Sequence, residues 1–115
     1  MVFEFMMMYF LLSKDLNGFM NHIGRIANFD YTSMPTIFEE AILVYLNMRE
    51  ADRETYMEYP IKNETFQRFY DYVQKYQAYM KDPQQQRREL LKYYGKTYWF
   101  YFHFYTLLSK QETEN

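Results

Sequence analysis

The chain has 115 residues, of which 49% are hydrophobic and 23% aromatic, including 14 Tyr, 11 Phe and a single Trp. This length and composition predict one folded domain and exclude an intrinsically disordered chain. The net charge of -2 argues against a nucleic-acid binder that relies on bulk positive charge, and the absence of cysteine excludes disulfides, thiolate nucleophiles and cysteine-based zinc sites.

The charge is unevenly distributed along the chain. Residues 1–64 carry ten acidic side chains and five basic ones, whereas residues 65–115 carry five acidic and eight basic ones. We expect either two halves that attract each other or an ordinary scatter of surface charge.

Two helices are predicted at the start of the chain. Val2 to Leu12 is apolar except for Glu4, and helical spacing of apolar residues continues from Leu16 to Asn28. Ser13 to Asp15 separates the two segments and has capping potential. The first segment has no basic region or small-residue cleavage site, so it is a poor signal peptide. An apolar pattern that begins at Val2 is typical of a piece excised from a larger protein, and equally of a native N-terminal helix.

The third predicted helix runs from Pro35 to Arg49, after a loop over Phe29 to Ser33. Its proline suits a first helical turn, Thr36 and Glu39 have the spacing of a capping box, and acidic side chains in the first turn complement the helix dipole. Its core face comprises Met34, Ile37, Phe38, Ala41, Ile42, Tyr45 and Met48.

The acidic stretch Glu50 to Lys62 is predicted to be a long connection, because proline at position 60 excludes helix at the preceding residue. Asn63 is expected to cap the next helix. The apolar stripe of that helix comprises Phe66, Phe69, Tyr70, Val73, Tyr76 and Met80.

Another helix is predicted from Asp82-Pro83 to Tyr94, with Gly95 as a left-handed stop. Its inward side chains are expected to be Leu90, Leu91 and Tyr94.

Thr97 is expected to cap the last element, and two interpretations of that element stand. The residues Tyr98 to Tyr105 fit either a helix or a strand, because their aromatic side chains also alternate. Helix is favoured, since the pattern continues through Leu107 to Lys110 and the rest of the chain has helical spacing. Gln111 to Asn115 is expected to fray. No segment has the ~20 apolar residues that a membrane-spanning helix needs.

Two stretches, Pro35 to Tyr45 (PTIFEEAILVY) and Leu90 to Phe104 (LLKYYGKTYWFYFHF), resemble an uncharacterised bacterial family. Longer members of that family combine membrane-spanning segments with a tetratricopeptide-like helical region, and this chain resembles that region. The resemblance implies stacked helical hairpins, tethered to a bacterial membrane in a longer parent, and it transfers no functional residue. The three prolines do not keep the 34-residue tetratricopeptide period, so any repeats have decayed.

Catalytic and metal-binding interpretations find little support in the residue pattern. His22 and His103 are isolated from the spacing of known metal motifs, and neighbouring Glu39 and Glu40 point about 100° apart on a helix. Serines fall at predicted helix ends, where capping explains them. We therefore expect a non-enzymatic chain with no cofactor and no metal.

The sequence as a whole predicts an all-α fold over residues 1–115, a single helical domain. Five to six helices are expected in antiparallel hairpins, as a degenerate tetratricopeptide-like array or a small bundle, with the last helix packed on two central ones. More aromatic side chains are present than such a domain can bury, so some are expected to line a binding surface. The predicted binding residues are Tyr93, Tyr94, Tyr98, Trp99, Tyr101 and Tyr105, with Arg87, Arg88 and Lys92 at the rim.

Two functions follow from that surface. The leading hypothesis is a protein or peptide interaction module, because aromatic rings with hydroxyl groups offer contact area at low entropic cost. The other is a structural accessory region that docks on the rest of a parent membrane protein, and which would self-associate, for example as a homodimer, when isolated. Stacking on single-stranded nucleic acid is disfavoured by the overall acidity of the chain.

Overall fold

The structure, a computed structural model, describes residues 2–23 and 34–105. The described residues form seven helices and no strand, so the fold is all-α and the aromatic segment near the C-terminus is helical. The helices are α1 (Val2–Leu12), α2 (Leu16–Ile23), α3 (Thr36–Met48), α4 (Arg53–Met57), α5 (Asn63–Ala78), α6 (Pro83–Tyr94) and α7 (Tyr98–Phe104).

Three predicted features lie outside the described residues. These are the continuation of the second helix over residues 24–28, the loop Phe29 to Ser33, and the C-terminal segment from Leu107 to Asn115.

A tight turn joins α1 to α2, as the polar residues between them predict. The hydroxyl of Ser13 donates to the carbonyl oxygen of Tyr9 at 2.8 Å, and the carboxylate of Asp15 accepts from the backbone N–H of Gly18 at 2.9 Å. A Cβ at Gly18 would lie 2.7 Å from the ring of Phe10. Glycine at this position thus permits close packing of α1 on α2, which offsets its low helix propensity.

The start of α3 differs from the predicted capping box. Pro35 precedes the helix, and no side chain caps it. Instead Glu39, only 1% exposed, turns its carboxylate toward the start of α5. The carboxylate accepts from the hydroxyl of Thr65 at 2.8 Å, and from the backbone N–H and the ammonium group of Lys62 at 3.2 and 3.1 Å.

This carboxylate replaces the predicted cap of α5. Asn63 is the first residue inside that helix, and the carbonyl oxygen of Lys62 accepts the first bonds from Thr65 and Phe66. Free N–H groups at a helix start need acceptors, and here an acidic side chain from another helix supplies one. The explanation of Glu39 by the dipole of its own helix was therefore incomplete.

The predicted long connection after α3 contains the short helix α4. Asp52 caps it, accepting from the backbone N–H and hydroxyl of Thr55 at 2.9 and 2.8 Å. These hydrogen bonds, the backbone one foremost, hold the pKa of the Asp52 carboxyl below its ordinary value. This added helix is the reason that the total exceeds the five to six predicted.

The end of α6 also differs from the prediction. Gly95 has φ of -61° and ψ of -21°, which is right-handed rather than left-handed. A glycine is still favoured there, because a Cβ would lie 2.6 Å from the carbonyl oxygen of Leu91. Leu90 and Tyr94 are buried as predicted, whereas Leu91 is 44% exposed, since it is one helical step out of phase with them.

The described chain forms two compact units that divide between Phe69 and Tyr70, inside α5. The centre of the first unit is α3, whose residues 38–44 are all buried. In that unit α1 packs on α2, and α2 packs on α3. In the second unit α6 packs on α7, and the largest buried side chains are Tyr72, Trp99 and Phe100. The single domain predicted over residues 1–115 stays a prediction.

Candidate functional site

The predicted binding residues lie in the second unit, on α6 and α7, which the hydroxyl of Thr97 joins. This hydroxyl donates to the carbonyl oxygen of Tyr94 at 2.8 Å and accepts from the backbone N–H of Phe100 at 3.3 Å. It therefore pairs with a carbonyl oxygen in the last turn of α6 and with a backbone N–H in the first turn of α7, as its predicted role as a cap requires. These two hydrogen bonds fix the start of α7 relative to the end of α6, and so set where the aromatic side chains of α7 point.

Tyr72 of α5 is the centre of the aromatic core that α7 covers. Its ring contacts those of Tyr94 and Trp99, with centroids 5.4 and 5.6 Å apart, and stacks on the imidazole of His103 at 5.7 Å. The Tyr72 hydroxyl donates to the carbonyl oxygen of Trp99 at 3.2 Å and lies 2.8 Å from Nδ1 of His103. The tautomer of the imidazole decides which of the two groups donates in the 2.8 Å contact.

Burial changes the acidity of two phenols in this core. It raises the pKa of Tyr72 far above the ordinary value, with a smaller contribution from neighbouring Tyr76. Burial likewise raises the pKa of Tyr98, and nearby Tyr101 adds to the effect. Both phenols stay protonated at physiological pH, so they act as hydrogen-bonding groups and not as bases.

Three of the predicted binding residues belong to this core. Tyr94 is 8% exposed, Tyr98 4% and Trp99 0%, so their rings pack inside the unit and are closed to a partner. The sequence pattern could not show which of these rings are buried, because α7 carries aromatic residues on every face and helical periodicity buries some of them in any orientation.

The remaining predicted residues are accessible. Arg87, Arg88 and Lys92 are exposed on α6, Tyr105 is 45% exposed, and Tyr101 is half-buried. These residues were predicted as a rim and a lining, and they keep that accessibility in the structure.

A chain of contacts connects the exposed residues of α6 with those of α7. The guanidinium of Arg87 lies 5.8 Å from the ring centroid of Phe100, whose ring meets Tyr105 edge to face at 5.9 Å. Tyr105 in turn stacks on Tyr101 at 5.6 Å. We name the accessible residues of these two helices the α6–α7 surface; it comprises Arg87, Arg88, Leu91, Lys92, Tyr101 and Tyr105.

A second exposed cluster centres on Tyr93 and shares Lys92 with the α6–α7 surface. The ring of Tyr93 is 52% exposed, and two ammonium groups lie over it, that of Lys75 at 5.1 Å and that of Lys92 at 5.3 Å from the centroid. Sequence reasoning predicted Tyr93 and Lys92 but missed Lys75. No local signal could reveal Lys75, because it reaches the ring only through the packing of α5 beside α6.

The basic side chains in the described part of this unit form no ion pair with a described carboxylate. Between residues 70 and 105, no carboxylate of a described residue lies within 4 Å of any of the six cationic groups. These are Lys75, Lys81, Arg87, Arg88, Lys92 and Lys96. The same segment has only three acidic residues, Asp71, Asp82 and Glu89, and Asp82 serves as the cap of α6. The described part of the unit therefore carries a net positive charge, although the whole chain is acidic.

Both histidines hydrogen-bond to other described residues, although His103 is exposed. Nδ1 of His22 donates to the carbonyl oxygen of Gly18 at 2.8 Å, and His103 bonds to Tyr72 as described above. Within residues 2–23 and 34–105, no three His, Asp or Glu side chains gather as metal ligands. None of the helices in those residues combines the length and apolar character that crossing a bilayer requires.

Comparisons with known proteins identify a family but no characterised relative. The chain has no significant match among curated proteins or among solved structures. The model of a family of unknown function, DUF6057, matches residues 1–105, which is nearly the whole chain. The chain belongs to this family.

Proposed function

We propose that this chain is a non-enzymatic module that binds a protein or peptide partner through the α6–α7 surface. The observation that carries the proposal is the exposure of apolar and aromatic side chains, Leu91 and Tyr105, beside unpaired guanidinium groups of Arg87 and Arg88. Arginine and tyrosine are enriched at the energetic centres of protein interfaces, because both combine contact area with directional hydrogen bonds.

The engagement of the Ser13 hydroxyl supports binding rather than catalysis. This hydroxyl donates to the backbone carbonyl oxygens of Tyr9 and Phe10, at 2.8 and 3.2 Å. A nucleophile or general base must instead be free to reach a substrate.

A pair of surface variants tests the proposal. Arg87→Glu with Leu91→Asp reverses one charge and removes the apolar contact on the α6–α7 surface. Arg53→Glu with Met57→Asp makes the same change in charge and polarity on α4, where Met57 is 67% exposed. Both variants are compared with the wild type in crosslinking and mass spectrometry from cells of the source organism.

We expect the crosslinked partner to be lost with the α6–α7 variant and kept with the α4 variant. Truncating a central interface residue costs roughly 1 kcal/mol or more, and a charge reversal adds repulsion. Equal recovery of the partner by both variants would exclude the α6–α7 surface as the binding site.

A second candidate function has its own observation. On α1, the side chains of Phe5, Tyr9 and Leu12 are 76%, 67% and 54% exposed and share one face of the helix, while Met7 and Leu11 are buried. This stripe supports an accessory region that docks on the remainder of a parent protein. We extend that proposal to a parent tethered to a membrane, as the family resemblance implies. We also propose tetratricopeptide-like stacking of helices, because the consecutive helices α1 and α2 pack on each other, as do α6 and α7.

A further inference from the structure

We propose that Tyr93, Lys75 and Lys92 form a recognition site for the carboxylates of an acidic peptide segment of the partner. This cluster, which we name the Tyr93 site, specifies the chemistry of the partner and so rests on the proposed function. Its members come from two helices, with one ammonium group from α5 and one from the last turn of α6.

The first argument is electrostatic. Two ammonium groups lie within about 5 Å of one ring centroid, and no carboxylate of a described residue pairs with either of them. Like charges that converge on one side chain repel each other, so an anionic group placed between them gains from both. The net positive charge of the described part of this unit also favours an anionic ligand.

The second argument is preorganisation. Each lysine side chain ordinarily loses rotamer entropy when it binds, but here the face of an aromatic ring already attracts the ammonium groups. Binding to amines held in this way costs less ordering than binding to free ones. The phenol hydroxyl of Tyr93, which makes no hydrogen bond to another described residue, adds a donor at the edge of the site.

The third argument distinguishes carboxylate from phosphate. Phosphate sites in proteins combine the point charge of lysine with directional hydrogen bonds from backbone N–H groups at helix starts or from the planar fork of arginine. The Tyr93 site has neither, since it lies in the last turn of α6 and presents ammonium groups alone, each able to neutralise one carboxylate. Two glutamate or aspartate side chains on one segment would satisfy both lysines.

A peptide titration on the full chain tests the inference. The probe is tetraglutamate, acetylated and amidated at its ends, followed through the backbone amide signals of Lys75, Lys92 and Tyr93 by NMR. Tetraglutamine is the neutral control and inorganic phosphate the second anion. Lys75→Gln with Lys92→Gln is compared with Lys81→Gln with Lys96→Gln, which removes the same charge from exposed positions of the same unit.

We expect tetraglutamate to shift the three signals and tetraglutamine to leave them unchanged. The half-saturating peptide concentration should rise about threefold to tenfold in Lys75→Gln with Lys92→Gln, as two surface ion pairs of roughly 0.3 to 0.7 kcal/mol each predict, and less than twofold in the matched variant. Circular dichroism checks that both variants keep their helices.

Other outcomes overturn the inference. No shift with tetraglutamate, or equal weakening by the two lysine pairs, would show that these amines form no specific site, and a stronger response to phosphate would exclude the carboxylate assignment. Arg87→Glu with Leu91→Asp separates this inference from the proposed function. If that variant loses its partner but the peptide titration fails, the α6–α7 surface stands and only the Tyr93 site is wrong.

Discussion

Tyr72 shows how a single residue can organise a unit that its neighbours in sequence do not reveal. The predicted stripe of α5 contains Tyr70, which is 62% exposed, and omits Tyr72, which is 1% exposed. The stripe was assigned from apolar character alone, and tyrosine counts equally at either position. What separates the two positions is the packing of α7 over α5, which depends on the tertiary fold.

The buried phenol of Tyr72 predicts a loss of stability at alkaline pH. Its folded pKa lies above the unfolded value of about 10, so the folded state retains a proton that the unfolded state releases as pH rises through that value. Stability is then full below pH ~10 and falls above it, by roughly 1 kcal/mol per pH unit for each such phenol.

Chemical denaturation between pH 8 and pH 11 measures this effect. Tyr72→Phe should be about 1 kcal/mol less stable at pH 8, because it loses the hydroxyl contacts, yet its stability should fall less steeply above pH 10. Tyr70→Phe, which removes an exposed hydroxyl, is the control and should follow the wild type. An unchanged alkaline slope in Tyr72→Phe would contradict the assignment.

At the scale of the helices, caps within one segment could be predicted and caps between segments could not. Asp82 and Thr97 have their acceptor groups three residues before the N–H that they bind, so the local sequence contains the whole signal. Asp52 and Thr55 have the same spacing, but the charged stretch around them concealed α4. Glu39 caps a helix 23 residues further on, a relation that no local pattern contains.

Replacing Glu39 should destabilise the junction of α3 and α5. Glu39→Ala leaves the buried hydroxyl of Thr65 and the N–H of Lys62 without their acceptor, at an expected cost of about 2 kcal/mol in the free energy of unfolding. Glu39→Gln keeps an acceptor oxygen and should lose less.

Urea denaturation of these variants supplies the measurement, with Glu54→Ala as the matched control. Glu54 is an exposed acidic residue in the first turn of α4, so its replacement should change the free energy of unfolding by no more than about 0.5 kcal/mol. If Glu39→Ala were no more destabilising than this control, the carboxylate would not be the cap of α5.

For the molecule as a whole, the fold class followed from periodicity, whereas the candidate surface did not. Apolar spacing identified all the long helices, because local amphipathicity is a property of each segment. The surface depends on which aromatic side chains remain outside after packing, and this decided against Trp99 and in favour of Tyr105. The exposure of Leu91, which was predicted to face inward, likewise could not be predicted without knowing which face of α6 packs on α7.

The accessory-region hypothesis predicts self-association through the exposed stripe of α1. Light scattering over a range of concentrations should then show a dimer for the wild type and a monomer for Phe5→Ser with Leu12→Ser. Met48→Ser with Met57→Ser is the matched control, since both methionines are exposed on other helices of the same unit, and it should still dimerise. A wild-type chain that is monomeric throughout would remove the main support for docking through α1.

The single tryptophan gives the two units separate spectroscopic signals. Trp99 is fully buried in the second unit, where the rings of Tyr72 and Tyr94 lie 5.6 and 6.4 Å away, so its fluorescence senses the unfolding of that unit alone. Far-UV circular dichroism senses the helices of both. Coincident denaturation curves from the two probes would mean that the chain unfolds as one cooperative domain, and separated curves would show that the second unit unfolds apart from the first.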